Sequence, residues 1–127
     1  MSALTLEDLK TPLDLKAHAV PVPEFGEGRK AYVAELSADE RDSRLEVAWL
    51  AYKAKTGQEN NVHYRAWCAA ACWCDESRGF IARDPAGIES VAETLGKLDS
   101  KPVTRMFVKA SEVNALTEED IEDLEKN

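Results

Sequence analysis

The sequence has no apolar run approaching the ~18–20 residues of a membrane-spanning helix. Acids follow close behind Met1 without an apolar core, so the N-terminal stretch is not expected to act as a secretion signal. A cytoplasmic protein is the expectation. Bases are also short: 16 Lys and Arg stand against 24 Asp and Glu. General nucleic-acid binding needs clustered Lys and Arg to displace counterions, so that class is disfavoured. There are only three cysteines, Cys68, Cys72 and Cys74, all within seven residues. An odd, tightly clustered set does not form a secreted disulfide framework. No Walker loop, Rossmann fingerprint, H-E-x-x-H or G-x-S-x-G occurs, and no internal repeat or low-complexity tract.

What is present is the composition of an ordinary folded domain. The 127 residues are 44% hydrophobic and 31% charged, enough for one core without disulfides or metal. The net charge of −8 is unevenly placed. Residues 112–127 hold seven acids and one base, a net of −6, and the other 111 residues carry −2. An acidic end of this kind is usually a solvated helix face or a frayed terminus, favouring solubility.

Periodicity predicts a mostly helical α+β fold in a single domain, 1–127: an N-terminal β-hairpin followed by four or five helices. Residues 1–17 form a helix or arm. Thr5-Leu-Glu-Asp8 is a capping-box-like start, and Pro12 limits the run. This segment is expected to be mobile or to serve as a docking arm. Residues 18–36 read as the hairpin. Val20 and Val22 alternate with Pro21 and Pro23, which suits an edge strand, and Glu24-Phe-Gly-Glu-Gly28 supplies the turn. Ala31 to Leu36 alternate as the return strand.

Residues 37–116 make the helical body. Ser37 and Glu40 cap a helix whose Leu45, Ala48, Trp49 and Tyr52 share one stripe, ended by Thr56-Gly57. Asn60 or Asn61 is expected to cap a central helix over 61–74, apolar on most sides and so buried on most sides. Val62, Ala66, Ala69 and Trp73 form one stripe; Trp67, Ala70, Ala71 and Cys74 form another. Asp75 to Gly79 is a polar turn, and Phe80-Ile81 a short extended piece. Asp84-Pro85 opens a helix through Ile88, Val91, Ala92 and Leu95 to Gly96. Ser100 and Pro102 start another, with Val103, Met106, Phe107 and Ala110 in helical register. Thr117 caps a final acidic helix, 117–127, weakly amphipathic through Ile121 and Leu124.

Chemistry-bearing residues are few. Cys68-x3-Cys72-x-Cys74 with His63 upstream contains metal-ligand types, and Cys68 and Cys72 lie one helical turn apart. Structural zinc takes four ligands, usually from pairs on turns, and no second pair exists. The favoured reading is three thiols packed as small apolar residues. His18 and His63 have no partner in a recognisable catalytic motif. Gly26-x-Gly28 is a turn, with no Lys-Ser/Thr after it. Trp49, Trp67 and Trp73 are expected in the core, with at least one free to anchor an interface; their exposure is left open. No residue is assigned a catalytic, cofactor-binding or metal-ligating role, and the partner-binding face is left open.

Several features occur in one order: Val20-Pro-Val-Pro-Glu-Phe-Gly26 before a return strand; Leu36-Ser-Ala-Asp-Glu-Arg41 opening a helix; Cys74-Asp-Glu-x-x-Gly79-Phe-Ile; Val103-Thr-Arg-Met-Phe107; and Val113-Asn-Ala-Leu-Thr-Glu-Glu-Asp onward to Asn127. Over almost its whole length the chain resembles the tail assembly chaperones of siphovirus-type phages and prophages. The Cys- and Trp-rich central helix departs from that pattern. The resemblance implies a non-enzymatic protein of the bacterial host cytoplasm, absent from the mature virion. It would bind the tape measure protein and keep it soluble during tail tube assembly. It further implies possible homo-oligomers and a longer product made by ribosomal frameshifting, which recruits the tail tube protein. Glu125-Lys126-Asn127 permits an A-rich slippery codon run. The alternatives are an acidic host-interaction or regulatory protein and a small thiol or metal protein.

Overall fold

The computed structural model describes residues 2–12, 14–55 and 62–126. Thr5 caps a one-turn helix, α1 (Leu6–Leu9): its hydroxyl accepts from Asp8 N and the Asp8 carboxylate accepts from Thr5 N. The hairpin follows. Strand β1 (Ala17–Pro21) pairs antiparallel with β2 (Lys30–Ala34), with His18 opposite Val33 and Val20 opposite Ala31. A 3-10 turn over Pro23–Phe25 joins them. Gly26 and Gly28 take φ of 137° and 78°, conformations that side chains with a Cβ rarely adopt.

Ser37 caps the next helical run as its sequence indicates, with a full capping box to Glu40. That run is not one uniform α-helix. It begins as α2 (Ala38–Glu40), widens into a π-helical segment (Arg41–Val47), and returns as α3 (Ala48–Lys53). The expected stripe of Leu45, Ala48, Trp49 and Tyr52 is buried throughout. Thr56-Gly57 and the caps expected at Asn60 or Asn61 lie outside the described residues.

The central helix is shorter than its periodicity predicts. α4 spans Tyr64–Cys72, with His63 at its N-cap in extended conformation. Trp73 and Cys74 are not helical: they form β3 (Trp73–Cys74), which pairs with Val33 and Tyr32 of β2. The 75–79 turn accounts for the break. Ser77 N and Gly79 N both donate to the Asp75 carboxylate, and Asp75 N donates to Gly79 O. The chain then doubles back, and Cys74 bridges Phe80. Hence Trp73 and Cys74 leave the two helical stripes. The sheet order is β1-β2-β3, so β1 is an edge strand and β2 is central. Val33 and Ala34 are accordingly both fully buried, which breaks strict alternation.

Three capped helices complete the fold. Asp84 caps α5 (Pro85–Leu95), with Pro85 at its first position. Asp99 caps α6 (Ser100–Val113), whose Val103, Met106, Phe107 and Ala110 face the core. Thr117 and Asp120 form a reciprocal cap on α7 (Glu118–Lys126). The result is a mostly helical α+β fold in which β2, the π-helical segment, α5, α6 and α7 pack around α4. No helix is long and apolar enough to cross a membrane among the described residues.

Candidate partner-binding groove

Between the hairpin turn and α5 runs an open apolar groove of about 380 Å³. Four separate segments build it, α6 contributing Met106 alone. The turn contributes Val22 and Phe25, the latter 52% exposed. The β3 strand contributes Trp73, half-buried. α5 and the residues after it contribute Val91, Leu95 and Leu98. Ile88 and Ala92, on the inner side of α5, are fully buried, so the stripe read from the sequence is wider than the core can cover. Its outer half lines the groove.

The hairpin turn is held in place from α6. Arg105 Nη1 donates to Pro21 O at 2.6 Å, and Nη2 pairs with the Glu24 carboxylate. The Arg105 hydrogen bond holds the Glu24 carboxyl below its usual range. The groove's charged lining residues are Arg29 and Lys30, and no acid lines it. In a chain of net charge −8 this is a locally basic rim around an apolar floor.

The residues singled out by chemistry lie elsewhere. Cys68 and Cys72 are completely buried and Cys74 nearly so, and all three are free thiols. The hydrogen bond with Cys72, together with burial, pushes the Cys68 thiol well up. Burial pushes Cys74 up to about 11. A thiol held neutral and out of water is neither a ready nucleophile nor a ready metal ligand. Among the described residues no group of three or more His, Cys, Asp or Glu side chains is placed to hold a metal. His63 is exposed at the start of α4. His18 Nε2 sits 2.6 Å from the Glu35 carboxylate across the hairpin.

The tryptophans divide. Trp49 and Trp67 are buried in an aromatic cluster, with ring centroids 5.5 Å apart and Tyr64 edge-on to Trp49 at 5.2 Å. Trp67 Nε1 donates to Arg44 O, and Trp49 Nε1 donates to Leu124 O of α7. Trp73 alone of the three reaches the groove. Phe25, Arg29 and Lys30 were not singled out by sequence. The available signal was an aromatic placed inside a glycine turn. The chain matches no family model, no curated protein and no solved structure.

Proposed function

We propose that the protein is a tail assembly chaperone of a long-tailed phage or prophage, which binds the tape measure protein and keeps it soluble while the tail tube assembles. The carrying observation is the open groove lined by Phe25, Trp73, Val91 and Leu95. An amphipathic helix lays its apolar face into such a groove, anchored by side chains one turn apart. The tape measure protein of such phages is a very long helical chain with much apolar surface to shield. A groove of this size covers a short stretch of helix, so several copies would act along one client. The reading is of a binding protein rather than an enzyme, working in the host cytoplasm and left out of the virion. The acidic end at Glu125–Asn127 is a suitable place to append a frameshifted domain for the tail tube protein, since α7 buries no residue fully.

Co-expression tests this. The tape measure protein should move from the insoluble to the soluble fraction with the wild-type chain. Phe25→Asp, at an exposed position, should abolish that effect without unfolding the chaperone. A tape measure protein equally soluble alone would remove the basis of the reading.

A further inference from the structure

Among the described residues, two other than glycine take positive φ: Arg78 at 69° and Ala115 at 52°. Arg78 is held there by its own side chain, which donates through Nε to Glu35 O and pairs with Glu40. Ala115 has only a methyl group, so no side-chain bond offsets the strain of its left-handed conformation. It sits in the turn between α6 and α7. There Ala115 N donates to Glu112 O and Leu116 N donates to Ser111 O, a helix-ending turn whose left-handed position usually holds glycine.

The two sides of this turn are held unequally. Asn114 Oδ1 accepts from Leu36 N, and Nδ2 donates to Ala34 O and Ala110 O, so the end of α6 is tied to the hairpin. Beyond Ala115, α7 is lightly seated. An open cleft of about 350 Å³ remains against it, lined by Leu45, Leu50, Tyr64, Leu116 and Leu124. Yet an empty seat is costly: the buried Trp49 indole N–H would lose its acceptor at Leu124 O, and Ile121 and Leu124 would leave the edge of the core. We propose that α7 is exchanged between two copies of this chain, with Ala115 as the hinge and each seat filled by the other copy's α7. The seat selects this occupant, because an identical helix remakes the Arg41–Asp120 pair, the Trp49 bond and the Ile121 and Leu124 contacts. Opening the hinge returns Ala115 to negative φ in both chains, so the exchanged dimer sheds the strain and keeps the contacts. The Thr117–Asp120 cap travels with α7 and keeps it helical. Extended, the chain from Asn114 to Glu118 spans about 13 Å, so the two α6 ends must approach within that distance. Association costs entropy, so the single chain prevails when dilute. The hinge and the seat are independent of the chaperone reading.

Refolding the full chain from urea at low and at high protein concentration, followed by size exclusion with light scattering, tests the exchange. We expect a dimer fraction that grows with the refolding concentration. Ala115→Gly removes the strain from the single chain and should lower that fraction several-fold. The variants R41D and D120R separate exchange from any other dimer. Each alone sets like charges together in the single chain and in its own exchanged dimer alike. Refolded together, the two variants restore an Arg–Asp pair in both seats of a mixed exchanged dimer and nowhere else. That mixture should give several-fold more dimer than either variant alone. A wild-type chain that is monomeric at both concentrations overturns the proposal. So does a mixture with no more dimer than the separate variants, or a dimer fraction that Ala115→Gly leaves unchanged. No tape measure protein is involved, so the exchange can fail while the chaperone reading stands, and the reverse.

Discussion

α4 and α7 are each nine residues long and are built on opposite principles. Eight residues of α4 are buried, and none of α7 is. α4 has no side-chain cap and no acid in its first turn, so packing holds it. Ala69, Ala70 and Ala71 are fully buried and let neighbouring helices approach its backbone closely. α7 has a reciprocal cap and three acids in its first turn, so local interactions form it, and its tertiary hold is thin. Arg41 pairs with Asp120, Trp49 Nε1 donates to Leu124 O, and Ile121 and Leu124 rest on the edge of the core. One helix exists because the fold exists; the other leans more on its own cap and is only lightly fastened on.

The contrast fails if damage to α4 stays local. Trp67→Ala removes a ring packed at a tilt against Trp49 and Tyr52 and the donor to Arg44 O. It should cost about 3–5 kcal/mol. That is a large part of a typical domain's stability, so chemical denaturation should show the whole cooperative transition shift. A loss confined to α4 in hydrogen exchange would show that the core is not a single unit.

Alkaline titration sharpens the same point with a smaller effect. Cys68 and Cys74 both have thiols raised by their surroundings, Cys68 through Cys72 and burial, Cys74 chiefly through burial. Below the ordinary thiol value of 9.0 both states keep their protons and this stability is intact. Above it the unfolded chain deprotonates first, while the folded Cys74 holds its proton to about 11, so stability falls as pH rises. Cys74 alone predicts a loss of about 1 kcal/mol by about pH 10, and Cys68 adds to it in the same direction. A denaturation midpoint constant across that range would mean that the thiols reach water in the folded state.

Thr117→Ala should have the smallest effect and the most local one. Removing the cap should favour opening of α7 by about 1 kcal/mol. Amide exchange should speed up along Glu118–Lys126 while the main transition stays put. The Thr117 amide and hydroxyl also hold the Asp120 carboxyl below its usual range. This contribution is present above the ordinary carboxylate value and is lost as pH falls, so α7 should fray first in acid. A shift of the global transition would place α7 within the core unit.

The same division governs what was legible in the sequence. Locally determined features read correctly: the boxes at Thr5, Ser37 and Thr117 and the Asp84-Pro85 start all occur as their residues dictate. So do the stripes of Leu45 to Tyr52 and Val103 to Ala110. Features decided by contacts distant in sequence did not. The apolar pattern of α4 continues unbroken into Trp73 and Cys74, and only their pairing with β2 makes them a strand. The groove was invisible because it is assembled from residues near 22–31, 73, 90–98 and 106. Each of those segments alone looks like part of a core.

The π-helical segment carries one more consequence. Its wider turn, closed by Ala48 N on Ser43 O, holds one residue more than an α-helix needs over the same rise. Within it Arg44 is buried, donating to Ala71 O and Ala82 O with its guanidinium 3.8 Å from the Phe80 ring centroid. Deleting a single residue at 42 or 43 would let the run relax to α geometry. Everything before the deletion would keep its facing, because the lost residue is the extra one that the wider turn absorbs. Arg41 would still face Asp120, and Leu45 onward would stay in the core. The segment is thus the point in the chain where a one-codon deletion would leave the hairpin aimed as before against the helical body.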